Sequence, residues 1–347
     1  MPARFAKTRG THHPAGPGLF EACLWTVGFH AVQFGALGGL LLLLLWCATD
    51  RFPPSLMEAI QIAERLRWES TFLFTGVASL AALLVLVPAV RLRIGQSVRA
   101  EFGLRRLSLS DWIWIAAAVV PLAVLSDQLY RWGLLLVDAL RRLHPEFASL
   151  PSIDAMQVVT QQVSDTPYLV LLIAGALAPA VSEEFVFRGL IGRGLIARWG
   201  PVAGIGLTSL LFAAAHGTPA HALATLPVGI YLHLIYRSTG NLGCAILLHG
   251  LVNGLSVTLM KLHAGSSLPA HPALLFAIVG YLTVVTTQLA AASAPRPDQP
   301  QDDANPLSPA SMKNVLLEAV GPISPRLASC SIVAYTCAIL WSRMAAI

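Results

Sequence analysis

Charged positions are spaced far apart along this chain, and the runs between them are long and apolar. Residues 22–49, 71–90, 112–126, 166–182, 199–236, 238–260 and 262–295 contain no Asp, Glu, Lys or Arg. A helix needs about 20 mostly apolar residues to cross a bilayer. The 199–236 run is far longer than one crossing and is interrupted by Gly217-Thr218-Pro219, so it predicts two helices joined by a turn. The pattern predicts an all-α, polytopic membrane helical bundle of about eight transmembrane helices, the 112–126 crossing being the shortest.

Lysine and arginine orient such a bundle, because cytoplasmic loops carry an excess of them. Arg91, Arg93, Arg99, Arg105 and Arg106 crowd the 91–111 loop, whereas the 127–165 segment carries more acids than arginines. The first segment is therefore expected inside and the second outside. That places the N-terminal tail, 1–19, in the cytoplasm, together with Arg188, Arg193, Arg198 and Arg237. The Ala, Leu, Arg and Pro bias has a bacterial character, so the membrane expected is the cell inner membrane. The apolar run after the tail continues without a small-residue cleavage site, so no cleaved signal peptide is expected.

Composition supports a lipid-facing surface: 55% of the 347 residues are hydrophobic and only 12% charged, against about 25% charged in soluble domains. With a mean hydropathy of +0.66, an ordinary soluble domain and a mostly disordered chain are both excluded. The net charge of +5 resides in short arginine clusters between apolar runs, which suits a membrane protein and argues against a nucleic-acid partner. The five cysteines form no CxxC pair and read as small hydrophobes, not as a disulfide frame.

Five regions follow: the 1–19 tail, a membrane-helical region at 20–165, a core at 166–292, a linker at 293–326 and an apolar tail at 327–347. The linker is rich in Pro, Asp, Gln and Ser and is expected to be disordered. The last region has no assigned role.

Ionisable side chains at membrane depth are costly and mark function by default. Three clusters qualify. In Glu183-Glu184-Phe185-Val186-Phe187-Arg188, Glu184 and Arg188 are four apart and share a helix face, whereas Glu183 points about 100° away and lacks that partner. A surface ion pair at the membrane interface is the plain alternative. The second cluster is Phe212 to His216, where an apolar helix ends in a histidine; helix capping is the plain alternative. In the third, His249 and Asn253 share a face, and Gly250 and Gly254 form a GxxxG pattern expected to admit a close neighbouring helix. Interhelical packing is the alternative there.

Helix geometry links the first two clusters. If one helix runs from about Thr166 to Arg198, kinked at Pro179, and reverses at Gly200-Pro201, then Glu183 and His216 both lie roughly 25 Å from the turn, at one level. His249 lies about 15 Å beyond the next expected turn, at Ser238-Thr239-Gly240. His221 and His233 read as packed or interfacial, Asp127 and Arg131 as an external helix-end pair, Trp112 and Trp114 as an interfacial belt, and Gly35 and Gly39 as a packing face.

The motifs EExxxR, FxxxH and HxxxN, in that order on consecutive membrane helices, resemble the CPBP family, also called the Abi or CAAX-protease family, of intramembrane endopeptidases. The segment RSTGNLGCAILLHGLVN, Arg237 to Asn253, also resembles that family's approach to its third motif. The resemblance covers 166–262, a little over a quarter of the chain. It implies a peptidase whose substrate is a membrane-associated protein or peptide. Glu183 would be the general base, Glu184 and Arg188 would hold and orient the helix, and His216, His249 and Asn253 would complete the site. A carboxylate in a low-dielectric cavity is a stronger base than one in water, and the imidazoles and amide can donate to an oxyanion.

Whether a cofactor takes part stays open at this stage. Glu183, His216, His249 and Asn253 could hold zinc, yet no HExxH helix is present, and the same residues suit a metal-free mechanism. Two other classes compete: a non-catalytic binding or immunity protein using the same cavity, and a proton-coupled transporter. Neither oligomeric state nor prenylation of the substrate follows from the sequence.

Overall fold

We describe a computed structural model, in which residues 16–49, 71–94, 102–144, 162–262 and 272–293, with 55, 57 and 99, are described. The expected linker at 293–326 and apolar tail at 327–347 lie outside the described residues, apart from Ser293. Among the described residues the regular structure is entirely helical, an all-α membrane bundle.

In chain order the helices are α1 (Leu19–Thr49), α2 (Thr71–Ile94), α3 (Leu109–Leu143), α4 (168–199), α5 (201–214), α6 (Pro219–Thr239), α7 (Leu242–Lys261) and α8 (Pro272–Ser293). Among the described residues, five helical runs are long and apolar enough to cross a membrane, the longest being Tyr168–Ala214, which comprises α4 and α5. Many of their large apolar side chains face outward, including Phe20, Leu84 and Leu92. Lipid, not water, is the solvent that such a surface fits.

The turns sit where their residues require them. Gly200 has φ 74 and ψ 174, which breaks α4 from α5, and Pro201 starts the new helix with its preset φ. Thr218 caps α6 by accepting from the His221 amide, with Pro219 next. Gly240 takes the left-handed conformation that ends α6, and the Asn241 side chain caps α7. Ser108 and Asp111 form a reciprocal capping box at the start of α3.

Three expectations change. The third crossing is not short: α3 runs for 35 residues. Asp127 and Arg131 therefore pair in mid-helix at 3.1 Å, well before the helix ends, because a charged pair one turn apart satisfies itself without breaking the helix. Gly35 and Gly39 face open space among the described residues, so they mark no packed interface there.

The interior of α4 is wound more loosely than an α-helix. Residues Leu171–Leu177 and Phe185–Gly192 follow the wider π pattern, on either side of an α-helical piece, Ala178–Glu184, that holds both glutamates. Pro179 lacks an amide hydrogen and crowds the preceding turn, which a wider winding upstream relieves. The kink expected at Pro179 thus takes the form of local unwinding.

One hydrophobic core joins residues from the 20–165 region, such as Phe29, Leu86 and Leu122, to Phe187, Leu195, Leu232 and Leu248 of the 166–292 region. Helix α3 lies against α6, α7 and α8, and the first of these contacts is close enough that a Cβ on Gly133 would meet the Ala220 backbone. Before α3, the Phe102 carbonyl accepts from the Leu242 amide, and Gly103, at φ 60, abuts the Gly240 carbonyl. At the far end of α7, Lys261 donates to the carbonyls of Val163, Ser164 and Thr166, tying α7 to the start of α4.

The segments expected on the cytoplasmic side meet at one end of the bundle. Arg93 of α2 pairs with Glu21 of α1 at 2.8 Å, and both Arg93 and Arg198 of α4 donate to the Gly16 carbonyl.

Candidate active site

The site is assembled where α4, α5, α6 and α7 converge. Arg188 Nη1 donates to Glu184 Oε1 at 2.6 Å, with both side chains inaccessible to solvent. The same Oε1 lies 2.8 Å from His249 Nδ1 across the α4–α7 contact. Arg188 Nη2 donates to the Gly229 carbonyl of α6 at 3.0 Å. Its guanidinium carbon sits 4.3 Å from the centre of the Phe212 ring of α5. One buried ion pair therefore ties four helices together.

Phe212 is the hub of this arrangement. Its ring packs edge-on against Phe187, His216 and His249, filling the space between the two histidines. Since Arg188 and Phe212 are equally distant in sequence from Gly200, their contact bears out the hairpin geometry expected from helix rise.

Glu183 is held differently from its neighbour. It forms no hydrogen bond among the described residues, and its Oε2 lies 3.8 Å from His249 Nε2, beyond hydrogen-bond range. Its side chain retains 19% exposure where that of Glu184 retains none. The wide helical turn beginning at Phe185 follows directly.

Both histidines are oriented through Nδ1. The Phe212 carbonyl can only accept, so His216 presents an Nδ1–H to it at 2.8 Å. The Glu184 carboxylate, paired with Arg188, likewise accepts from Nδ1 of His249. In their neutral forms each imidazole then carries a lone pair, not a proton, at Nε2. In that tautomer the Nε2 atoms accept, where the sequence reading expected the imidazoles to donate to an oxyanion. The Asn253 amide, half-buried one turn beyond His249 and without a hydrogen bond among the described residues, is the donor that remains.

His216 reaches this level but bonds to its own helix, and its ring packs on Phe212, which in turn meets Arg188 and His249. On its other side it packs against His221, whose ring lies 4.8 Å away and in turn meets Tyr130 of α3. His221 is thus packed, as one of its two expected readings had it, and borders the site, a relation invisible in sequence because α3 and α6 are remote along the chain. The Gly229 carbonyl was equally hidden, since a backbone acceptor carries no residue signature. The Gly250/Gly254 face does lie on α4, but at ordinary van der Waals distance: a Cβ at either position would sit 3.7 Å from a leucine side chain.

A zinc ion held by Glu183, His216, His249 and Asn253 would need those donors within about 2 Å of one point. The Nδ1 hydrogen bonds leave both Nε2 atoms free in the manner of metal-bound imidazoles. Yet among the described residues no three His, Cys, Asp or Glu side chains converge to hold a metal. The donors as placed do not make a zinc site.

Residues 165–255 match the family model described as Type II CAAX prenyl endopeptidase Rce1-like. That stretch is similar to the CAAX-protease family over the residues matched. The matched stretch is about a quarter of the chain and contains Glu183, Glu184, Arg188, His216, His249 and Asn253. No curated protein and no solved structure matches the chain. The matched residues fall within the 165–262 segment that holds α4 to α7, and the similarity supports a peptidase in a membrane protein.

Proposed function

We propose that this membrane protein is an intramembrane endopeptidase that hydrolyses a peptide bond of a membrane-associated protein or peptide, using a water activated by Glu183. The observation that carries this reading is the unequal treatment of two adjacent carboxylates. Glu184 is locked by Arg188 and His249, while Glu183 keeps both oxygens free of hydrogen bonds and partly exposed beside His249. A structural ion pair needs only the first carboxylate; a general base needs the second.

In the reaction, the lone pair at His249 Nε2 accepts one hydrogen of the attacking water, and Glu183 takes the other proton as the oxygen adds to the scissile carbonyl. The oxyanion so formed accepts from the Asn253 amide. Collapse of the tetrahedral intermediate breaks the carbon–nitrogen bond, and Glu183 returns its proton to the departing nitrogen. A carboxylic acid, which then loses the remaining water proton to solvent, and an amine are the products, and Glu183 is ready for another turnover. Glu184, Arg188 and Phe212 act as positioning residues that aim His249. No step is routed through a metal.

The test compares membrane proteomes of cells carrying the wild-type protein or Glu183→Gln at matched expression, by mapping N- and C-terminal peptides. A peptide end lost only in the variant supports the proposal and names the substrate. Identical ends, with both variants equally able to reverse a deletion phenotype, would instead favour a binding protein. Proton-gradient-dependent solute flux lost in the variant would favour a transporter.

A further inference from the structure

Two side chains on α6 are buried without partners among the described residues, although both are built to make hydrogen bonds. Arg237 is 2% exposed, and all three of its guanidinium nitrogens lack a hydrogen bond there; His233 is 1% exposed, and both ring nitrogens lack one. No carboxylate among the described residues pairs with Arg237. The two residues are four apart and share a face. The His233 ring meets the α4 backbone at Gly192, where a Cβ would collide with its Nε2.

A guanidinium in a water-excluded site without a counter-charge is strongly disfavoured, and buried polar groups in folded proteins almost always find partners. The missing partner must be an anion that accepts several hydrogen bonds. A phosphate oxygen pair matches the planar fork of arginine, and the neutral His233 ring adds one further donor. Position points the same way. Arg237 is in the last turn of α6, and His233 lies beside the part of α4 that leads to Arg198, at the end of the bundle where Arg93 and Arg198 meet Gly16. Basic pockets between helices near the cytoplasmic membrane surface recognise phosphate headgroups.

We propose that His233 and Arg237 form a buried phosphate-binding site between α6 and α4, separate from the Glu183 site and independent of its chemistry. The phosphate belongs either to an anionic lipid headgroup or to free inorganic phosphate.

Thermal unfolding of the full chain, followed by tryptophan fluorescence, tests the site. In detergent, sodium phosphate is titrated against sodium chloride at equal ionic strength. In nanodiscs, phosphatidylglycerol is compared with phosphatidylcholine. Saturating phosphate or phosphatidylglycerol is expected to raise the midpoint by about 5 °C, with the rise lost in Arg237→Met. A rise with inorganic phosphate assigns the free ion; a rise with phosphatidylglycerol alone, with one such lipid retained in native mass spectrometry, assigns the headgroup. Equal midpoints in chloride and phosphate together with equal midpoints in the two lipids overturn the site, as does an undiminished rise in Arg237→Met. If Arg237→Met fails to fold, Arg237→Lys keeps the charge without the fork and is expected to weaken the response at least tenfold; an unaltered titration overturns the site.

Discussion

Glu184 and Arg188 meet at 2.6 Å with neither side chain accessible to solvent, and His249 leans on the same carboxylate oxygen. Removing one partner of a buried pair leaves a charge stranded, which costs about 3–5 kcal/mol. Arg188→Met is therefore expected to destabilise the protein by that amount, read as a lower unfolding midpoint in detergent. It also releases His249, so peptide cleavage should fall in whatever fraction stays folded. An unchanged midpoint would show that the pair contributes nothing to holding the helices.

Glu183→Gln preserves size and removes the base. Because Glu183 makes no hydrogen bond among the described residues, the unfolding midpoint should stay within a degree or two of wild type, while the cleavage rate drops by about 10²–10⁴-fold, the usual contribution of a general base. The two readouts together separate a chemical role from a structural one. A variant that cleaves normally would remove Glu183 from the mechanism.

Phe212 occupies the space between Arg188, His216 and His249. Truncation to alanine opens a cavity in the core and is expected to cost about 3–5 kcal/mol. Phe212→Leu fills most of that volume without the ring, so it should recover much of the stability and little of the activity. Parallel melts and cleavage assays of the two variants check this.

Metal removal addresses the two free Nε2 lone pairs directly. With no three-residue donor set converging among the described residues, activity is expected to survive a strong chelator, and elemental analysis of the purified protein should find no stoichiometric zinc. Loss of activity on chelation, restored by zinc, would assign those lone pairs to a metal ion.

Gly103 combines a φ of 60 with contact against the Gly240 carbonyl. A methyl group there meets both a left-handed backbone and a fixed main-chain atom, so Gly103→Ala should cost at least about 1–3 kcal/mol. The loop it braces carries Phe102, whose ring packs on Phe185 directly after Glu184. Unfolding and cleavage are both expected to suffer, and a neutral melt would show that this loop yields.

Much of the helix plan was legible along the chain, because each turn bears its own signal. Gly200-Pro201 and Gly217-Thr218-Pro219 end one helix and start another where their residues predict, and the turn expected at Ser238-Thr239-Gly240 falls at its last residue, Gly240, with Asn241 starting the next helix. The i,i+4 spacing of Glu184 and Arg188 sufficed to pair them, and equal rise on both sides of Gly200 brought Arg188 level with Phe212. The length of α3 was not legible: the pair Asp127–Arg131 resembles a helix end in a charge count, yet lies within a helix that continues to Leu143.

By itself, then, the sequence determined a membrane-embedded helical bundle and the identity of the motif residues, since apolar run length, turn chemistry and one-turn spacing are local properties. Which nitrogen of each histidine faces the site, that Phe212 joins them, that Gly229 holds Arg188 and that Arg237 is sealed in without a counter-charge among the described residues were decided only in three dimensions. Each depends on the rotation of one helix about its axis relative to another, and that rotation is set by side-chain packing among segments far apart in the chain.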